Sequence, residues 1–255
     1  MTRVIMHGCN GKMGQTITRL IEEEETVEIV AGVDVSDHIQ NNYPVFKNIA
    51  ECDVDADVII DFSSAVCTEA VLAYSTEKQI PAVLCSTGLS QEQVTKITEA
   101  SGKVAILKSA NMSLGINLLQ KLLKDATAVL AQAGYDIEIV EKHHNLKKDA
   151  PSGTALALAD SISEALEEKY EYVYDRSDRS IVRPKKEIGI SAVRGGTIVG
   201  DHDVIFAGED EVITFSHRAY SKAVFGKGAV QAAKFLAGKP AGMYDMSDVI
   251  AAQSE

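Results

Sequence analysis

The stretch VIMHGCNGKMG, residues 4–14, decides how the first half of the chain folds. Val4–Met6 is a short apolar run that predicts a strand. Glycines follow at 8, 11 and 14, and from Gly11 to about Glu25 the residues Met13, Ile17, Leu20 and Ile21 recur on one helical face. A strand, a glycine turn and a helix in that order place backbone N–H groups where an anionic phosphate is favoured. Set against the fingerprint G-x-G-x-x-G, Gly8 takes the first position, Asn10 the second and Met13 the third. Asn tolerates left-handed backbone, and Gly11 beside it lets a diphosphate approach. The next apolar run, VEIVAGVD at 27–34, ends in Asp34, whose carboxylate can accept from ribose hydroxyls.

Working outward, the same alternation continues. ADVIIDFS at 56–63, PAVLCSTG at 81–88 and KVAILKSAN at 103–111 read as buried strands with their following loops. Helices are predicted over Val66–Lys78 and after Ser90, an N-cap with Gln93 three places on. The fold class is therefore α/β, with an N-terminal Rossmann-like dinucleotide-binding domain on a parallel sheet. In such a sheet the loops after the strands face the cofactor. That nominates Phe62, Cys85, Ser86, Thr87, Ser109, Ala110, Asn111 and Met112, beside Gly8, Cys9, Asn10, Gly11, Lys12, Met13 and Asp34. Val35 and Ser36 follow Asp34, with no arginine to meet a 2′-phosphate, although Lys12 or His38 could offset the repulsion. NADH is expected to be at least as acceptable as NADPH.

The second half changes pattern. A long apolar-faced helix is predicted from about Gly115 to Ala131, and YDIEIVEKHH then alternates like a half-buried strand. A helix at 154–170 follows. After it come alternating runs broken at Gly195-Gly196 and at Gly208-Glu209-Asp210, the mark of an antiparallel or mixed sheet. A last helix, about Gly228–Ala237, is expected to return to the first domain. Residues 1–112 and 223–255 are thus assigned to the dinucleotide-binding domain and 113–222 to a mixed-sheet α+β domain.

The ionisable groups of that second domain crowd into EKHHNLKKDAPSGTA at 141–155. Strand alternation puts His143 and His144 on opposite faces unless the strand ends there. Pro151-Ser152-Gly153-Thr154 breaks the chain, and Ser152 or Thr154 can cap the helix that follows. Backbone N–H groups near Gly153 and Thr154, with Lys147, His143 and His144, make an anion pocket equipped to move protons. Asp149 is expected to orient the loop or pair with a lysine.

Composition excludes other classes. The chain has 255 residues, 45% hydrophobic, and a net charge of −12, with no basic block for nucleic acid or an anionic membrane. No apolar run approaches the ~20 residues of a membrane span, and the N-terminus has no secretory core, so a cytoplasmic location is expected. Cys9, Cys52, Cys67 and Cys85 form no CxxC pair, and no metal site is expected.

At Glu141, His143, His144, Lys147 and Asp149-Ala150-Pro151-Ser152-Gly153-Thr154 the sequence resembles the dihydrodipicolinate reductase family, whose motif is E-x-H-H-x-x-K-x-D-A-P-S-G-T. GCNGKMG at 8–14, DFS at 61–63, STG at 86–88 and SANMSLGIN at 109–117 support it, and the likeness extends to GKGAV at 226–230. The resemblance implies NADH- or NADPH-dependent reduction of 4-hydroxy-tetrahydrodipicolinate, a cyclic dicarboxylate, in lysine and diaminopimelate biosynthesis. It implies His143 as general acid/base, Lys147 as proton donor, and His144, Gly153 and Thr154 as carboxylate ligands. It also implies that the second domain binds substrate and builds a homotetramer through its sheet. Where the family often carries Gly-Thr-Thr this chain has Cys85-Ser86-Thr87, and Val35 stands where some members carry arginine. Two other readings are compatible with the glycine loop alone: another two-domain oxidoreductase of a small acid, and a non-catalytic nucleotide sensor.

Overall fold

Val4 and Met6 pack on one side of the first strand and Ile5 on the other, so that strand must be covered on both faces. In the computed structural model, which describes residues 1–177 and 179–253, β1 (Thr2–His7) leads through the glycine turn into α1 (Lys12–Glu22). The chain continues through β2 (Val27–Val33), β3 (Val45–Phe46), β4 (Val58–Asp61), α2 (Thr68–Lys78), β5 (Ala82–Leu84), α3 (Gln91–Ser101) and β6 (Ala105–Lys108). α1 stops at Glu22, ahead of the remaining glutamates at 23–25, which the negative end of the helix dipole disfavours. α3 starts at the predicted capping box, with Ser90 Oγ accepting from Gln93 N at 3.2 Å and Gln93 Oε1 accepting from Ser90 N at 2.9 Å.

α4 (Leu114–Leu130), β7 (Asp136–His143), α5 (Gly153–Glu164), β8 (Glu171–Val173), β9 (Glu187–Arg194), β10 (Gly200–Ala207) and β11 (Val212–Ala219) follow. Then come α6 (Ala223–Leu236), β12 (Gly242–Tyr244) and α7 (Met246–Ala252). Two units result, one from Met1–Leu114 with the chain from Ala223 onward, the other from Gly115–Lys222.

The first unit holds a seven-stranded sheet in the order β12-β6-β5-β4-β1-β2-β3, parallel throughout. The order reverses between β1 and β4, the switch point at which such sheets bind nucleotides. One face is buried under α1, α6 and α7, the other under α2 and α3. α6 begins at Ala223, five residues before the start read from the sequence. Glycines weaken a helix reading, yet here they are the packing surface: a Cβ on Gly228 would sit 1.6 Å from the Met112 carbonyl oxygen.

The second unit has a five-stranded mixed sheet, β11-β10-β7-β9-β8, in which β7 pairs antiparallel with β10 and parallel with β9. The expectation of an α/β domain plus a mixed-sheet α+β domain is met. α5 is shorter than the predicted helix at 154–170: it ends at Glu164, and Glu167 and Glu168 would have lain unfavourably at its negative end. Ile137, Ile139, Val204 and Phe206 face α4 and α5 and form the core with Leu123, Leu158 and Ile162. Among the described residues no helix is long and apolar enough to cross a membrane.

Candidate active site

The nucleotide end of the first unit is built at the C-terminal edge of its sheet. Gly8 adopts φ +82°, open to glycine at little cost. The predicted left-handed Asn10 is not found: among the described residues Gln79 alone has positive φ without being glycine. Asn10 is instead buried, its amide bonded to Ser36 O and its oxygen accepting from Asn41 Nδ2 at 2.8 Å. Met13 does not fill the third fingerprint role either. A Cβ on Gly14 would lie 2.2 Å from the Gly8 carbonyl oxygen, so Gly14 permits the close packing of helix on loop. The working spacing is Gly8, Gly11, Gly14. Gly11 caps α1 without a side chain, which leaves that helix end to an anionic partner.

Gly8, Gly11, Asp34 and Phe62 line one cleft of about 460 Å³, with Lys47 and Val66. Asp34 Oδ2 accepts from Asn10 N and Oδ1 from Ser36 N, both at 2.9 Å. Each carboxylate oxygen keeps a second lone pair for a hydroxyl. These features fit a dinucleotide: a cradle that side chains would fill, an uncapped helix end and an acid at the next strand. Lys12, Thr87 and Ala110 are exposed, while Ser109 and Asn111 are half-buried and bonded to each other. Cys9, Cys85 and Met112 are core residues, so only their main chain can meet a ligand. Burial, with Asp34 nearby, pushes the Cys9 thiol up to about 11.

Sequence reasoning missed the group beneath this loop. His7 and Asp61 are register partners at the ends of β1 and β4. His7 Nδ1–H donates to Asp61 Oδ1 at 2.7 Å, and Ser63 N and Ser86 Oγ donate to the same carboxylate at 3.1 and 3.0 Å. Burial alone would raise the Asp61 carboxyl, but His7 and Ser63 outweigh it and hold it below the usual range. One buried charge thus ties together three strand ends at the switch point. The polar end of an otherwise apolar strand, DFS, was its only local sign.

In the second unit, the helix-facing positions of the sheet turn from apolar to ionisable near the start of α5. On β7 the buried series Ile137, Ile139 continues as Glu141, His143; on β10 Val204 and Phe206 are preceded by His202. β7 ends at His143, so the next residue leaves the strand and His144 becomes half-buried, its Nδ1 without a partner among the described residues. The Gly195-Gly196 turn holds this exit: Gly195 N donates to His143 O at 2.9 Å and Asn145 N to Gly196 O at 3.2 Å.

Glu141, fully buried, organises the site. It accepts from His143 Nδ1 at 2.6 Å, from Ser152 N at 2.9 Å and from both Arg194 Nη atoms at 2.7 Å. Burial would raise its carboxyl, yet Arg194, His143 and Ser152 together hold it below the ordinary glutamate range. An ionised acceptor at Nδ1 fixes the tautomer of His143 and leaves Nε2 for chemistry. Arg194 also donates to Asp149 O at 2.7 Å, and Asp149 pairs with Lys147 Nζ at 2.9 Å, the lysine partner expected of it. Lys147 holds the Asp149 carboxyl below its usual range. Ser152, not Thr154, is the N-cap of α5, accepting from Ala155 N at 3.2 Å, and the space beside Gly153 is open. His143, His144, Lys147, Gly153 and Thr154 therefore belong to one strand exit and helix start. Neither Arg194 nor His202 was signalled by local sequence.

Comparison with known proteins now bears on these two sites. Residues 2–112 match the family described as dihydrodipicolinate reductase, N-terminus, and residues 115–250 the family described as dihydrodipicolinate reductase, C-terminus. The chain is 53% identical over 250 residues to a 4-hydroxy-tetrahydrodipicolinate reductase of Caldanaerobacter subterraneus subsp. tengcongensis, covering 98% of both chains. It is 52% identical to the protein of that name from Clostridium tetani, covering 96% of each. A solved structure of similar fold, dipicolinate-bound dihydrodipicolinate reductase from Paenisporosarcina sp. TG-14, superposes with a TM-score of 0.82 at 24% identity, covering 96% of this chain and 97% of that one. With its two halves matched by the two halves of one enzyme, and relatives above half identity along nearly its whole length, the chain belongs to the dihydrodipicolinate reductase family.

Proposed function

We propose that the chain reduces 4-hydroxy-tetrahydrodipicolinate with NADH or NADPH, using His143 and Lys147 to move protons. The observation that carries these roles is the bond from His143 Nδ1 to the buried, arginine-paired Glu141, beside the first turn of α5. The overall change takes substrate, NAD(P)H and one proton to tetrahydrodipicolinate, NAD(P)⁺ and water. Gly8, Gly11 and the start of α1 would hold the diphosphate, and Asp34 a ribose. When bound, the nucleotide supplies the hydride.

The remaining work falls to side chains of the second unit. Departure of water needs a proton on the leaving hydroxyl and returns one from a ring C–H bond, so that step consumes none. Hydride addition to the resulting conjugated imine leaves an enamine-like carbon that must gain a proton. His143 Nε2 and Lys147 Nζ are the groups assigned to these transfers, as general acid/base and proton donor. Lys147 also places positive charge where negative charge develops. His144, Gly153 and Thr154 hold carboxylate, the last two through the first turn of α5. A structural relative carries dipicolinate, and a cyclic dicarboxylate of that class suits this cation-rich helix start.

Family membership supports a homotetramer formed through the sheet of the second unit, whose β11 exposes Val212, Thr214, Ser216 and Arg218. A cytoplasmic enzyme that binds neither nucleic acid nor membrane is in keeping with a net charge of −12. Light scattering measures the assembly. The decisive assay follows NADH absorbance with substrate generated from pyruvate and aspartate semialdehyde. Oxidation dependent on both precursors is expected; none at micromolar enzyme overturns the assignment.

A further inference from the structure

His202 enters neither the sequence motif nor the proton transfers above, yet it lies between the two working parts of the second unit. It is 3% exposed and stands opposite Glu141 in the β7–β10 register. Its Nε2 lies 3.1 Å from Ser152 Oγ, the side chain that caps α5. Its ring meets the His143 ring edge to face, with centroids 5.2 Å apart at 77°. Its Nδ1 is buried with no partner among the described residues. Such an atom costs stability unless the residue serves another end, and a leucine or phenylalanine would continue the apolar row of Val204 and Phe206 without that cost.

We propose that His202 is a positioning residue that couples the carboxylate-holding turn to the proton-transferring imidazole, through Ser152 on one side and the His143 ring on the other. It touches neither substrate nor cofactor in this role. The two contacts use different parts of the ring, so they can be separated. The bond to Ser152 fixes the first turn of α5 and hence the Gly153 and Thr154 positions. The edge-to-face contact fixes the rotation of His143 about its bond to Glu141. Burial, and the His143 ring beside it, keep His202 neutral by lowering its pKa to about 4, so it adds no charge that would compete with Lys147.

The inference rests on the reductase reading, and the test keeps the two apart, because it applies only once the wild-type enzyme oxidises NADH with substrate. His202→Gln retains a group able to bond Ser152 and removes the ring. His202→Phe retains the ring and removes the bond. The phenylalanine variant is expected to raise KM for the dicarboxylate about 3- to 10-fold, the range of one lost neutral hydrogen bond, with kcat within twofold of wild type. The glutamine variant is expected to lower kcat by about 10-fold, a fraction of what general acid–base catalysis supplies, with KM held. Ser152→Ala must reproduce the KM effect, and it serves in place of the phenylalanine variant should that one fail to fold. NADH affinity, a property of the first unit, should stay constant throughout. Variants that change kcat and KM in the same proportion, or leave both unchanged, overturn the coupling and leave His202 a packing residue.

Discussion

Arg194 closes both Nη atoms on Glu141, each at 2.7 Å, while the same carboxylate accepts the Nδ1–H of His143 at 2.6 Å. The arrangement explains how a fully buried glutamate stays ionised: two donated bonds from a guanidinium offset the loss of water. It also sets the orientation of an imidazole whose other nitrogen is the one proposed to move protons. Glu141 is thus a positioning residue acting through His143.

Replacing His143 by Gln is expected to lower kcat about 10²- to 10⁴-fold, the usual range for a general acid/base. Glu141→Gln should lower it by about 10²-fold with KM little changed. In the double variant the losses should not add, since Glu141 has nothing left to orient. Steady-state kinetics on the four proteins decide it; additive losses would give Glu141 a role of its own.

Asp149 is more than half exposed, and its bond to Lys147 is a surface ion pair. Pairs of this kind contribute about 0.2–1 kcal/mol, so Asp149→Asn is expected to change kcat/KM by no more than about fivefold. Lys147→Met removes the cation itself and should cost about 10²-fold or more. If the two variants are equally impaired, Lys147 works only as held by Asp149.

Asp34 is the residue proposed to discriminate between the cofactors. Its charge opposes a 2′-phosphate, and Asp34→Asn is expected to raise the NADPH-to-NADH ratio of kcat/KM about tenfold, or about 1.4 kcal/mol. Because the carboxylate also anchors Asn10 N and Ser36 N, affinity for both cofactors should fall somewhat. A wild-type enzyme that strongly prefers NADPH would show that the phosphate finds another partner.

Acid should destabilise the second unit through His202. Its folded pKa, about 4, lies below the ordinary 6.5, so the unfolded chain binds the proton more readily. The stabilisation is full above pH 6.5 and is lost as pH falls toward 4, by about 2 kcal/mol at pH 5. Urea midpoints at pH 7 and pH 5 should diverge more for wild type than for His202→Phe. Equal differences would mean that His202 is protonated in the folded protein.

Much of the fold was legible because its determinants are local. The strand, glycine turn and helix at 2–22 and the Ser90–Gln93 capping box are each written within a few residues. β12 was not legible: three residues, Gly-Met-Tyr, become a strand only because β6 offers an edge. The loop register was misread, since the space beside Gly14 depends on where the Gly8 carbonyl turns in three dimensions. In the site, the motif at 141–154 named the groups that project from one strand exit. What it could not name were Arg194 and His202, which reach Glu141 and Ser152 only across the β7–β9 and β7–β10 pairings. The groups proposed to do chemistry, and Glu141 that holds one of them, are adjacent in the chain; Arg194 and His202 are not.

The first unit draws α6, β12 and α7 from the part of the sequence that follows the second. A ribosome making this chain therefore releases six of the seven parallel strands, with α1, α2 and α3, long before α6 and α7 complete the cover of one face. Until residues 229–249 emerge, the face carrying Val4, Met6, Ile60, Val83 and Leu107 lacks Ala229, Ala233, Leu236 and Val249. The usual order of synthesis, N-terminal domain first, is inverted. The inserted unit, continuous in sequence, has every strand of its sheet before the nucleotide unit can close. Competence to bind the cofactor thus arrives last, and a nascent chain interrupted in the second unit holds one apolar sheet face covered by α1 alone, for a chaperone to shield.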